Sequence, residues 1–238
     1  MEAIILAGGL GTRLRSVIGK ALPKCMAMVA GRPFLHHLFQ YLEREGCEHI
    51  ILSLGHGHSH ILDWLEKEQP TRIPVDHVIE QEPLGTGGGI RLALEGAAAE
   101  HVMVLNGDTT FEVQLRTLLN FAKTTGAETA LALKAMRHFE RYGIVEVEGQ
   151  LGRITGFEEK RPREAGLING GVYCIHRNRF LARTFPEKFS FEKDYLEAIV
   201  EEGVLYGQTS DGYFIDIGIP EDYERAQQDF KNRFGSPA

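Results

Sequence analysis

Arg13, Lys24, Asp108 and Asp216 are the side chains whose types and settings could do chemistry. The two cations lie in a stretch of unusual charge. Between Glu2 and Glu43 there is no Asp or Glu, while Arg13, Arg15, Lys20, Lys24 and Arg32 all fall there. The chain as a whole carries a formal net charge of −7. A basic segment inside an acidic protein suits a small, highly charged anion, and the overall balance argues against a nucleic-acid partner. The same segment contains "LAGGLGTRLR", residues 6–15, which follows the apolar run "AII". Gly8, Gly9 and Gly11 at a strand-to-helix turn let backbone N–H groups approach a phosphate closely. Asp108 ends the apolar strand "HVMVLNGD", at the carboxyl edge where α/β sheets hold ligands. Asp216 stands between Ile215 and Ile217, where a carboxylate needs a partner.

Two familiar phosphate motifs fail on their own criteria. A P-loop needs Gly-Lys-Ser/Thr after its glycines, and none follows here. A dinucleotide fingerprint needs a third glycine where Leu14 stands, and a ribose-binding acid about 20 residues on, where there is none. That counts against an oxidoreductase. No nucleophile–His–acid constellation stands out. His56, His58 and His60 in "GHGHSH" sit at a strand-to-helix junction, where their spacing does not converge on one face, so they read as a surface loop. Cys25, Cys47 and Cys174 are scattered and odd in number, which reads as reduced thiols in a cytoplasmic protein. The N-terminus lacks the basic region and the long apolar run of a signal peptide. No stretch approaches the ~18 apolar residues of a membrane span.

The elements that must position these residues alternate. "EAIILA", "HIILSL", "VDHVIE" and "HVMVLNGD" read as strands; "PFLHHLFQYLEREG", "SHILDWLEKE" and "GGIRLALEGAA" read as helices between them. That order implies crossover units and a parallel sheet covered on both faces. After about residue 129 the segments "TALALKAM", "GIVEVE", "LGRITGFEE" and "LINGGVYCIH" are closely spaced and strand-like, an antiparallel or mixed extension. "KDYLEAIVEEG" and "PEDYERAQQDFKNRF" read as late helices. With no low-complexity linker, we expect one α/β domain over 1–238, with a Rossmann-like mixed, mainly parallel sheet and helices on both faces.

"LAGGLGTRL" followed by Pro23-Lys24 resembles the signature of the sugar-1-phosphate nucleotidyltransferases. "EPLGTGGGI", "LNGD", "FEEK", "LINGGVY" and "FIDIGIP" resemble later elements of that family in the same order, from residue 4 to about residue 223. Three departures touch the loops: "RSVIGK" lacks a family proline, Cys25 replaces the second proline of P-K-P, and Arg161 separates Lys160 from Pro162. The resemblance implies the nucleotide-diphospho-sugar transferase fold, with 1–128 holding a nucleoside triphosphate and 129–238 a sugar 1-phosphate. The sugar phosphate attacks the α-phosphorus and pyrophosphate leaves. Its oxygen is already anionic near neutral pH, so alignment and charge neutralisation suffice.

The resemblance also distributes roles. It places Leu6, Ala7, Gly8 and Gly9 as backbone contacts to the nucleotide, and Gly11, Thr12 and Arg13 at the triphosphate, with Arg13 on the leaving pyrophosphate. Lys24 reaches the α-phosphate or the incoming phosphate. Gly85, Thr86 and Gly87 open a helix whose lack of bulk leaves room for base and ribose. Glu80, five residues earlier, could accept from the adjacent N–H donors of guanine. Asp108 and Asp216 match family metal positions, and Mg²⁺ suits one or two carboxylates plus phosphate oxygens. Gly143, Glu159, Lys160 and Asn169 match positions facing the sugar and its phosphate. A silent nucleotide-sugar sensor would lack one of these charged groups, and all are present. "RYGIVEV", "KFSFEKDYL" and "YFIDIGIPEDY" resemble the branch that guanylylates a heptose 1-phosphate for surface polysaccharide or S-layer glycan. Mannose-1-phosphate guanylyltransferases and N-acetylmuramate-1-phosphate uridylyltransferases share much of the pattern. A homo-oligomer is left open.

Overall fold

A computed structural model describes residues 1–9, 19, 22–158 and 160–234. In chain order the strands are β1 (Glu2–Leu6), β2 (Met28–Val29), β3 (Arg32–Pro33), β4 (His49–Leu54), β5 (Val75–Ile79), β6 (His101–Asn106) and β7 (Thr109–Phe111). They continue with β8 (Thr129–Phe139), β9 (Ile144–Glu148), β10 (Arg153–Glu158), β11 (Arg163–His176), β12 (Leu205–Thr209) and β13 (Phe214–Asp216). The helices are α1 (Phe34–Arg44), α2 (His58–Glu68), α3 (Gly85–Gly96), α4 (Leu115–Thr125), α5 (Arg177–Leu181) and α6 (Pro220–Phe234). A π-helical turn spans Phe191–Glu197.

Among the described residues one sheet has nine strands in the order β5-β4-β1-β6-β11-β8-β12-β10-β9, drawn from both halves of the chain. The β5-β4-β1-β6 block is parallel, as the alternation of strands and helices implied, and β12 also runs parallel to β8. The remaining pairings are antiparallel. β1 is buried on both faces, as central parallel strands are: Ala3 and Ile5 enter one core and Ile4 the other. The first core takes Phe34, Leu35 and Leu38 of α1, Leu115 and Leu118 of α4, and Phe230 of α6. The second takes Ile90 and Leu94 of α3 and Phe180 of α5.

The differences from expectation include two helical segments. Helix α4 was not read from the sequence, although Leu115, Leu118 and Ala122 are its buried stripe and Gly126, at φ +65°, ends it. The late helix expected over 193–203 is a π turn followed by a 3₁₀ turn at Val200–Glu202. Ser190 caps its start by accepting from the Lys193 amide. No helix among the described residues is long and apolar enough to cross a membrane.

At the amino end of the parallel block, His49 bridges two strands. Its Nδ1 lies 3.0 Å from Glu2 Oε1 and its Nε2 2.9 Å from Asp76 Oδ2. Burial opposes the imidazolium, but the two carboxylates outweigh it and raise the pKa above the usual 6.5. A raised histidine stabilises the fold fully below the unfolded value and loses that contribution as pH rises through the folded one. Wild type should therefore exceed His49→Gln in melting temperature by more at pH 6 than at pH 8.5. A gap that stays constant across that range would remove His49 as the cause.

Candidate active site

The nucleotide side begins where β1 ends. The Leu6 carbonyl accepts from Gly107 N (3.0 Å), and Ala7 N donates to Ser53 O (2.8 Å). These groups are thus tied to the neighbouring strands. The amides of Gly8 and Gly9 have no hydrogen-bond acceptor among the described residues. A Cβ on Gly8 would stand 3.2 Å from both Gly55 N and Glu80 Oε1, a tight approach that a small shift of these neighbours would have to relieve. Glu80 therefore borders the same turn. Its Oε2 accepts from Leu84 N (3.0 Å), and burial raises its pKa. Gly11, Thr12 and Arg13 lie outside the described residues, as does Glu159.

Gly85 and Gly87 open α3, but their missing side chains are already accounted for. A Cβ on Gly85, which sits at φ +76°, would come within 2.5 Å of Phe189 O; one on Gly87 would come within 2.2 Å of the Phe189 ring. Phe189 thus occupies the side-chain direction of both glycines, which is by itself a sufficient reason for their lack of bulk. Gly87 N donates to Phe189 O, and Phe189 N donates to Leu84 O, each at 3.0 Å. Thr86 is engaged as well: its hydroxyl donates to Glu192 Oε2 (2.9 Å) and accepts from Phe191 N (2.9 Å).

Asp108 and Asp216 meet because β13 pairs antiparallel with β7, Asp216 opposite Thr109. Ile217 N then donates to the Asp108 carbonyl at 3.0 Å. Lys24 joins them from a 3₁₀ turn, Lys24–Met26, that follows Pro23. Its ammonium lies 2.5 Å from Asp108 Oδ2 and 3.5 Å from Asp216 Oδ1, with the lysine side chain only 10% exposed. Burial and the Asp108 charge raise the Asp216 pKa, against the pull of Lys24 and of the Gly218 amide 2.7 Å away. Lys24, expected at phosphate, is thus held here as the counter-cation of the two acids. Cys25 is buried, and desolvation pushes its thiol up to about 12, so it is no nucleophile. All three cysteines are free.

On the other side of Asp216 a cavity of about 430 Å³ opens. It is lined by the expected Gly143, Lys160 and Asn169. Asn169 is largely committed to its own strand: Nδ2 donates to the Tyr173 hydroxyl (2.9 Å) and Oδ1 accepts from Gly171 N (3.0 Å). Glu158 lines the cavity too, but pairs with Arg161 (2.6 Å) and Arg163. Arg141, Tyr142, Glu192 and Lys193 also face it and were assigned no role from the sequence. Their signal was present in "RYGIVEV" and "KFSFEKDYL", segments read only as marks of a branch. His58 and His60 enter α2, and no group of three metal-ligating side chains forms among the described residues.

Comparison with known proteins fits this arrangement. The sequence profile of the nucleotidyl transferase family matches residues 2–233. D-glycero-alpha-D-manno-heptose 1-phosphate guanylyltransferase of Aneurinibacillus thermoaerophilus is 46% identical, over 98% of this chain and 99% of that protein. The protein of the same name from Campylobacter jejuni is 43% identical, over 94% and 97%. The crystal structure of HddC from Yersinia pseudotuberculosis complexed with GMP-PN superposes with a TM-score of 0.86 at 38% identity, covering 97% of this chain and 99% of that one. The chain belongs to the nucleotidyl transferase family.

Proposed function

We propose that this enzyme transfers GMP from GTP to D-glycero-α-D-manno-heptose 1-phosphate, releasing pyrophosphate and forming a GDP-heptose. The observation that carries the chemistry is the junction of Lys24, Asp108 and Asp216, set between a glycine turn and a sugar-sized cavity. The choice of GTP and heptose rests on the two relatives named as heptose 1-phosphate guanylyltransferases and on Glu80, an acceptor beside the glycine turn.

The amides of Gly8 and Gly9, which have no acceptor among the described residues, would serve as donors for the nucleotide phosphates. Lys160 and Lys193, with Arg141 beside them in an ion pair with Asp222, line the cavity and would offer positive charge to the sugar phosphate. One phosphate oxygen of the sugar then forms a bond to the α-phosphorus as the bond to the pyrophosphate oxygen breaks. The charge that grows on pyrophosphate falls to Arg13, by its match to the family signature. Two carboxylates that already share one cation, one of them with a raised pKa, fit a divalent ion. Mg²⁺ held by Asp108 and Asp216 would supply charge neutralisation at the phosphates. We place the enzyme in the cytoplasm, supplying surface polysaccharide or S-layer glycan assembly.

The test is pyrophosphate release over a matrix of GTP, UTP, CTP and dTTP against several sugar 1-phosphates. GTP with the heptose 1-phosphate should give the highest kcat/KM. UTP with N-acetylmuramate 1-phosphate in first place would overturn the guanylyl assignment, and no turnover with any pair would leave a silent binder.

A further inference from the structure

Glu192 occupies an unusual position between the two halves of the site. It belongs to the π turn Phe191–Glu197 and lines the sugar-sized cavity, yet its carboxylate is held from the nucleotide side. Thr86 Oγ1 at the start of α3 and Ser190 Oγ both donate to Oε2, at 2.9 and 3.1 Å. Oε1 has no hydrogen-bond partner among the described residues. Two other cavity acceptors are more fully used, Glu158 by two arginines and Asn169 by Tyr173 and Gly171. Glu197 lines the cavity with no side-chain partner among the described residues, but it lacks the two hydroxyls that orient Glu192. The backbone beneath Glu192 is fixed, since Phe189 and Phe191 are bonded to residues 84–87. A π turn at a pocket often serves to aim a side chain in this way.

We propose that Glu192 is a specificity-determining residue, accepting through Oε1 from a sugar hydroxyl, and that Thr86 is its positioning residue. The proposal deepens the transferase reading and rests on it. The ligand chemistry is a polyhydroxylated sugar carrying an anomeric phosphate: cations in the cavity take the phosphate, and a half-buried carboxylate takes hydroxyl donors. Such a carboxylate discriminates against a sugar that lacks the hydroxyl, because a charge-assisted hydrogen bond is then lost and the oriented oxygen is left without its ligand donor.

Steady-state kinetics on the full chain test this with Glu192→Gln, Thr86→Val and Thr86→Ser. Glu192→Gln should raise KM for the sugar 1-phosphate about ten-fold or more, with KM for the nucleotide changed less than about three-fold. Thr86→Val should shift the same parameter in the same direction, and Thr86→Ser, which keeps the hydroxyl, should restore it. Over a panel of deoxy-sugar 1-phosphates, one that wild type rejects should be rejected no more than the parent sugar by Glu192→Gln. Equal rises in both KM values, or undiminished discrimination in Glu192→Gln, would overturn the proposal. If wild type turns over no substrate pair, the transferase reading fails by itself. Calorimetric binding of the same sugar phosphates to wild type and Glu192→Gln then still decides the role of Glu192.

Discussion

Asp216→Asn should fold normally and lose about a hundred-fold or more in kcat, the scale for removing one charged group that acts on the transition state. The fold is expected to survive because the native carboxylate is under strain of charge, not a source of stability. Burial and the Asp108 charge both disfavour its ionised form, and Asn can still accept from Gly218 N. Lys24 keeps its closer partner, Asp108, at 2.5 Å. Asp108→Asn should be similarly inactive. If the two carboxylates grip one Mg²⁺, the double variant should be scarcely slower than either single one, because groups that act as a unit are not additive. Its stability should differ from theirs, however. With both acids neutral, the Lys24 ammonium is buried opposite no carboxylate, and an uncompensated buried charge is costly. The melting temperature of the double variant should therefore fall below that of both singles. The measurements are rate against Mg²⁺ concentration for all four proteins, with melting curves beside them. Full activity of folded Asp216→Asn at ordinary Mg²⁺ would falsify the shared site.

The two aspartates also mark where the sequence is and is not legible. Asp108 could be placed from local signals, since "HVMVLN" is an apolar run and the carboxylate follows its end. Asp216 could not be brought to Asp108 by any local signal. Their meeting depends on β7 and β13, three residues each, far apart in the chain, and only a family resemblance linked them. The parallel block was legible because its strands are buried on both faces and its helices carry apolar stripes. Helix α4 carries such a stripe as well, but it is short and lies between the Asp108 turn and β8 with no side-chain cap to mark its start. The glycines of α3 are only half legible for a different reason. A glycine announces that something lies close, but the sequence does not say what, and at Gly85 and Gly87 the neighbour is Phe189. The same ignorance hid Glu192, whose place depends on the Thr86 hydroxyl across the cleft.

Arg183→Met should be among the most destabilising single changes outside the cores. Its partner Glu128 is only 4% exposed and accepts from Arg183 Nε at 2.5 Å and Nη2 at 3.0 Å. The Tyr195 hydroxyl donates to the same carboxylate at 3.1 Å and lies 2.6 Å from Thr129 Oγ1. Removing the guanidinium leaves a buried carboxylate with one hydroxyl and the more distant Arg179, 3.6 Å away. Breaking a buried pair from one side costs about 3–5 kcal/mol, and the remaining arginine argues for the lower end. In a domain of this size about 3 kcal/mol lowers the melting temperature by roughly 6–12 °C. Glu128→Gln should cost less, because Arg183 keeps Glu202 at 2.6 Å and the amide still accepts from Tyr195. The double variant Glu128→Gln/Arg183→Met should be less damaged than the sum of the two, since no buried charge is then stranded. Tyr195 ties this network to the π turn that carries Glu192 and Lys193 into the cavity. Below its melting temperature, Arg183→Met should therefore show a raised KM for the sugar 1-phosphate while KM for the nucleotide stays near normal. A melting temperature within about 2 °C of wild type, which in such a domain is under about 1 kcal/mol, would mean that the pair stabilises nothing, and that the π turn is held by its hydrogen bonds to residues 84–87 and its Ser190 cap without help from Glu128.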